Sequence, residues 1–249
     1  FIPVLILGSN ISQFYSLNDL IALMPILRNT ILVASFGAIL IVLVATFLAC
    51  TTNVKGNKKL EQLTNISAIG YAFPGTILAI GVLISAGSLD KALSYSVFSS
   101  YLQDKSLFIS GTISILLFAY LVRFLAVAYG SNVSGLSKIS INLNWASRTL
   151  SNSFSNTITR VSIPLIKKSI LAGGLLAFVD ITKELPMTLL LRPFNFETLA
   201  TYTYQFAHDE LMTEAALPAL LIILFGIIPV IFLNDILKKQ IVPKSTLSN

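Results

Sequence analysis

The chain has 249 residues, of which 55% are hydrophobic and 11% charged, with a mean hydropathy of +0.82. A water-soluble domain devotes about a quarter of its residues to charge, so this composition excludes a soluble enzyme or soluble binding module. The formal net charge of +6 does not point to nucleic acid, because the basic residues concentrate in alternate loops of an otherwise apolar chain.

The opening FIPVLILG has neither a Met nor a basic stretch before its apolar run, which is unlike a signal peptide. Residues 1–8 read as the end of an earlier membrane helix, and Phe1 is expected to lie inside a longer protein. Crossing a hydrocarbon core of roughly 30 Å takes about 20 helical residues. The runs TILVASFGAILIVLVATFLAC (30–50) and ISAIGYAFPGTILAIGVLISA (66–86) meet that length without a charge, and Pro74 and Gly75 are expected to kink or loosen the second. The third crossing, LFISGTISILLFAYLVRFLAVAY (107–129), carries only Arg123. That side chain either snorkels to the cytoplasmic interface or pairs across helices.

The fourth crossing spans 169–191 and contains Asp180, Lys183 and Glu184, with Gly173 and Gly174 permitting close helix approach as packing or as a hinge. The fifth, 216–236, has one aspartate at its far end and Pro229 inside it. Entry from outside before Thr30 makes the loop with Lys55, Lys58 and Lys59 cytoplasmic. It does the same for the loop with Lys138, Arg148, Arg160, Lys167 and Lys168 and for the tail with Lys238, Lys239 and Lys244. The intervening loops are balanced or acidic, as in Glu197, Asp209, Glu210 and Glu214, so the positive-inside bias supports this orientation throughout. The lone Cys50 has neither a disulfide partner nor a metal set and reads as a small apolar residue.

The cytoplasmic stretch 130–168 is too polar to cross and too long for a simple turn. Leu143, Trp145, Leu150, Phe154 and Ile158 punctuate it, and the spacing of the last three places them on one helical face. Such an amphipathic helix either lies on the membrane surface or docks against a partner. In the fourth crossing, Asp180 stands about 17 Å along a helix that starts at Ser169, near the bilayer centre, with Lys183 and Glu184 about a turn further out. Charges there must face protein or a cavity. Asp180, Lys183 and Glu184, followed by Pro186, are therefore either a neutralising cluster or the lining of a translocation path or gate. His208, with Asp209 and Glu210 beside it, offers donors suited to a ferric ion or simply a solvated face, so no metal ligand is assigned. No nucleophile and base stand in a recognisable spacing, and no Gly-rich run ends in Lys-Ser or Lys-Thr, so neither catalysis nor ATP binding is expected of this chain.

Two sets of residues carry a family resemblance. The permeases of binding-protein-dependent ABC importers have a cytoplasmic loop reading Glu-Ala-Ala, three residues, Gly, nine residues, then Ile-x-Leu-Pro. The spacing here resembles it in Trp145-Ala146-Ser147, Ser151 and Val161-Ser162-Ile163-Pro164, with Trp in place of Glu and Ser in place of Gly. The second set resembles the second half of the fused iron(III) importer permeases. Its words are Phe178-Val179-Asp180, Lys183-Glu184-Leu185-Pro186, Leu189 to Phe196, Thr198-Leu199-Ala200-Thr201, Asp209-Glu210 and Glu214 to Pro218. Tyr71 to Gly75, Ala79-Ile80-Gly81 and Val122 to Ala128 extend it over nearly the whole chain.

The resemblance implies an all-α, polytopic membrane protein with the type I ABC importer permease fold, a single domain over 1–249 in a bacterial inner membrane. It implies a role as the permease component of an ATP-driven iron(III) importer working by alternating access. The coupling loop would be Trp145, Ala146, Ser147, Arg148, Ser151, Phe154, Val161, Ile163 and Pro164. The partners would be ATP-binding cassette subunits that carry the ATP, a periplasmic iron-binding protein, the other permease half and the lipid bilayer, with no cofactor bound by this chain. A permease for thiamine, sulfate or a phosphonate, and a structural membrane subunit without coupled transport, remain alternatives.

Overall fold

Pro74 and Pro186 stand where two of the long apolar runs break, whereas Pro25, Pro218 and Pro229 lie inside continuous helices. The computed structural model describes residues 2–55, 59, 62, 64, 68–94, 109–149 and 153–241, which form helices and short connections with no strand among the described residues. Helix α1 (Ile2–Phe14) turns at Tyr15 into α2 (Leu17–Lys55), whose first turn is closed by the Asp19 carboxylate accepting from Ser16 N and Oγ at 2.9 and 2.8 Å. A 3₁₀ segment (Ala68–Ala72) precedes α3 (Gly75–Ser94), and α4 follows at Ile113–Leu136. On the side assigned to the cytoplasm come α5 (Ile141–Thr149), α6 (Phe154–Thr157) and a π-helical turn (Ile158–Ser162) that runs into α7 (Ile163–Thr182). Helices α8 (Pro186–Leu191), α9 (Leu199–His208) and α10 (Met212–Ile241) complete the chain.

Five helical runs, 19–54, 75–93, 113–136, 154–182 and 212–235, are long and apolar enough to cross a membrane. The all-α, polytopic architecture read from the sequence is thus borne out, and the protein is a multi-pass membrane protein. The limits of all five crossings differ from the sequence reading: the third is shifted to Ile113–Leu136, so residues 130–136 are helix rather than loop, the fifth begins at Met212, and the other three differ as follows. Helix α2 has 39 residues and passes through Pro25, extending well outside 30–50 at both ends. The second crossing begins at Gly75 rather than at Ile66, because Pro74 supplies no backbone N–H and the chain before it coils as a 3₁₀ turn. The fourth ends at Thr182, two residues beyond Asp180, and starts before Ser169, so Asp180 stands near the outer end of its helix rather than halfway along.

The core is the three-helix contact of α2, α4 and α7, where Ile41, Ala45, Leu116, Ala119, Ala128, Ile166 and Ala177 are almost fully buried. Small residues bring the axes together. A Cβ on Gly173 would meet the Ala128 backbone at 3.0 Å, one on Gly174 would meet Val42 at 3.0 Å, and one on Gly135 would meet the Ser169 hydroxyl at 2.4 Å. The glycine pair is therefore a packing device facing two neighbours at once. Polar bonds add to the contact: Asn132 Nδ2 donates to Thr46 Oγ1 at 3.0 Å, and Ser131 Oγ donates to the Ser169 carbonyl at 2.8 Å. Phe36, Ile39, Leu43 and Phe47 on α2 and Ile228 and Ile231 on α10 point outward and exposed, the surface expected of spans that meet lipid or further membrane helices.

Candidate functional site

The break between α7 and α8 gathers the charges that the sequence marks inside the membrane. Pro186 has no backbone N–H to donate to Thr182, and the chain leaves helical geometry at Lys183, so α7 closes at Thr182 and α8 restarts with Pro186 in its first turn. Glu184 lies in this gap and is 5% exposed. Its Oε2 accepts from Met187 N at 3.0 Å and Thr188 N at 3.4 Å, capping α8, while Thr188 Oγ1 donates to the Glu184 carbonyl at 2.7 Å. The same hydroxyl shares a 2.5 Å hydrogen bond with the Tyr120 phenol, which is fully buried on α4.

The other oxygen of Glu184 faces Arg123: Oε1 lies 3.5 Å from Nη1, with the two side chains 4% and 21% exposed. Arg123 thus pairs across helices and does not snorkel, and its guanidinium also lies 5.7 Å from the Phe124 ring centre. Gly75 opens α3 directly over this pair, because a Cβ there would come within 2.0 Å of Arg123 Nη1 and 2.9 Å of Glu184 Oε1. The 3₁₀ segment beside it is pressed on α4 in the same way, with Gly70 against the Val122 carbonyl and Tyr71 edge-on to Phe124.

Asp180 and Glu184 do not form one carboxylate face, as an unbroken helix would require. Asp180 is paired with Lys183 at 2.9 Å, and Lys183 is 60% exposed at the rim. The site is therefore two separate ion pairs, one rim-exposed and one enclosed. Gly75, Tyr120 and Thr188 were not singled out as site residues in the sequence. Only the Pro-Gly step before α3 signalled that a backbone break lies at this level.

On the side assigned to the exterior by the loop charges, residues 192–198 form a braced loop. Arg192 pairs with Glu197 and donates to the Phe196 carbonyl at 3.0 Å, and Thr201 Oγ1 donates to Glu197 at 2.7 Å. Thr198 and Thr201 form a capping box at the start of α9, and Leu199 N donates to Thr30 Oγ1 at 2.8 Å. A cavity of about 280 Å³ lies nearby, lined by Tyr15, Asp19, Leu23, Tyr202, Phe206 and Glu214. Burial, reinforced by nearby Asp19 and Glu197, pushes the Tyr202 phenol above its usual range. His208 stacks on Tyr204 at 5.8 Å, and among the described residues no group of three or more His, Cys, Asp or Glu side chains is placed to hold a metal ion.

On the opposite side, α5 and α6 form a helical hairpin rather than the single amphipathic helix expected over 150–158. Helix α5 ends at Thr149, and α6 begins after Ser153, whose extended backbone and side chain cap it by accepting from Asn156 N at 3.2 Å. Buried Ser147 and Thr157 share a 3.1 Å hydrogen bond that closes the hairpin. Ala146 is exposed, Phe154 is 40% exposed, Val161 and Ile163 are half-buried, and Pro164 lies in the first turn of α7. The side chains of Trp145 and Arg148, and Leu150 and Ser151 altogether, lie outside the described residues.

The architecture matches that of a solved bacterial alginate ABC transporter in complex with alginate pentasaccharide-bound periplasmic protein, with a TM-score of 0.69 and 15% identity over 94% of this chain and 85% of that one. The chain has the fold of an ABC-importer permease subunit. A second structure, of a bacterial ABC transporter that imports alginate, agrees at a TM-score of 0.69 over 95% of this chain. In sequence, the chain is 24% identical over 225 residues to the ferric transport system permease protein FbpB of Actinobacillus pleuropneumoniae. It is 22% identical over 230 residues to the Fe(3+)-transport system permease protein FbpB 2 of Haemophilus influenzae. The alignments cover 89% and 92% of this chain but 30% and 42% of those relatives, so the chain spans less than half their length. No family model matches.

Proposed function

We propose that this chain is one permease half of an ATP-driven iron(III) importer of the bacterial inner membrane, forming one side of the translocation path and coupled to separate ATP-binding cassette subunits. The observation that carries the reading is the pairing of an importer-permease fold over nearly the whole chain with ferric-transport permeases as relatives in sequence. The α5–α6 hairpin is the element suited to take up motion from an ATPase. It is closed by a buried hydrogen bond, exposes Leu143 and Phe154, and continues through the π-helical turn into α7. A displacement of the hairpin is then delivered along α7 to the break at Lys183–Leu185, where Asp180, Lys183, Glu184 and Pro186 border the path or its gate. A periplasmic iron-binding protein would deliver the ion on the side of the braced 192–198 loop.

The reading is tested by ATP-dependent uptake of radioactive ferric iron into vesicles that hold the full-length permease, its ATPase and its binding protein. Saturable uptake that needs all three components supports it. Uptake of thiamine, sulfate or a phosphonate in place of iron would overturn the substrate and keep the permease role.

A further inference from the structure

Helix α3 is held unevenly, with Ala79, Ala86 and Asp90 buried along one face and the opposite face open. Helix α3 rests mainly on α8 and α4, and beside them an open apolar groove of about 610 Å³ runs between α3 and α4, lined by Phe73, Ile77, Gly81 and Phe118 among others. A Cβ on Gly81 or Gly87 would meet nothing within 4 Å, so the groove-side face of the helix is open, while Ala79, Val82 and Ala86 pack its other face into the core. What anchors its start is the enclosed ion pair beneath Gly75. That pair is close but not locked: Arg123 Nε and Nη1 and Glu184 Oε1 are buried without a hydrogen-bond partner among the described residues, although Nη1 and Oε1 are 3.5 Å apart. Glu184 Oε2, by contrast, is tied to Met187 and Thr188. Glu184 can therefore keep capping α8 with one oxygen while the other gains or loses Arg123. Backbone breaks stand on both sides of the joint, at Phe73–Pro74 and at Lys183–Leu185, so each partner segment can turn without unwinding a spanning helix.

We propose that Arg123, Glu184 and Gly75 form a releasable latch between the start of α3 and the α7–α8 break, with Arg123 the positioning residue whose hold on Glu184 changes between states of the transport cycle. The inference rests on the permease reading and adds to it a defined joint. Two buried charges with spare hydrogen-bonding capacity favour a second arrangement in which those atoms find partners, and Gly75 supplies the clearance that the closed arrangement needs.

The test uses the full-length permease assembled with its ATPase and binding protein in lipid nanodiscs, with spin labels on Phe73→Cys and Leu189→Cys and other cysteines replaced. Phe73 and Leu189 are 53% and 39% exposed, so labels fit there. The latch predicts that the label-to-label distance differs between the nucleotide-free and the ATP-trapped complex. It predicts that Gly75→Ala, which wedges the contact without removing a charge, moves the nucleotide-free distance to the ATP-trapped value. The Arg123→Gln/Glu184→Gln double variant leaves no bare charge. It is expected to assemble, to give the same distance in both states, and to transport about five- to tenfold less solute per ATP hydrolysed. A distance that never changes, or a double variant with the parental distances and coupling ratio, overturns the latch. Label movement in a complex that hydrolyses ATP but takes up no ferric iron supports the latch and overturns the substrate. Ferric uptake with an immobile label pair overturns the latch alone.

Discussion

Gly75 and Arg123 approach so closely that a single added methyl group at Gly75 would lie 2.0 Å from the guanidinium Nη1. The start of α3 and the middle of α4 are thus registered by the absence of a side chain. Gly75→Ala is expected to destabilise the purified protein by about 1–3 kcal/mol through overpacking, whereas Gly81→Ala, with open space around it, is expected to be neutral or slightly stabilising. Thermal unfolding of both variants in the same detergent checks this, and equal melting temperatures would contradict the packing described.

Asp90 reads in the sequence as one charge in a balanced external loop, yet it is 4% exposed. Its two oxygens accept from Ile109 N at 2.8 Å and Ser110 N at 3.0 Å, joining the end of α3 to the entry of α4. Asp90→Ala leaves two backbone donors unsatisfied and is expected to cost about 2–4 kcal/mol, while Asp90→Asn, which keeps one acceptor, costs about half of that. Amide hydrogen exchange at Ile109 and Ser110 should accelerate in the Ala variant before the rest of α4 is affected.

Thr30 binds two elements with one hydroxyl, donating to the Ile26 carbonyl at 2.9 Å and accepting from Leu199 N at 2.8 Å. Thr30→Val keeps the shape and removes both bonds. The expected loss is about 1–3 kcal/mol, with the start of α9 loosened first. Faster protease cleavage within 192–199, with the cytoplasmic hairpin unchanged, is the signature to look for.

Phe154 stands exposed on the hairpin and contributes little to the core. Phe154→Glu is therefore expected to leave folding nearly unchanged and to weaken stimulation of the partner ATPase by about five- to tenfold. The side chain of Arg148 lies outside the described residues, and its replacement is expected to give a similar loss. ATPase assays in reconstituted vesicles, with and without binding protein, decide whether the hairpin couples.

Charge-free length and loop charge were sufficient to read the all-α membrane class, because a bilayer demands about 20 apolar helical residues per crossing and biases lysine and arginine to one side. Asp180, Lys183, Glu184 and Arg123 were equally legible as groups needing partners, since a charge cannot remain bare in that environment. Which partner each would take was not legible. Spans such as α2 and α4 are apolar on all sides, so their periodicity does not say which face meets which neighbour. That Glu184 takes Arg123 as its partner, while Lys183 takes Asp180, depends on the helix break at Pro186 and on the rotation of α4 about its axis. The clearance at Gly75 depends on where α3 begins. Those are properties of neighbouring surfaces in three dimensions, and only the tertiary structure could decide them.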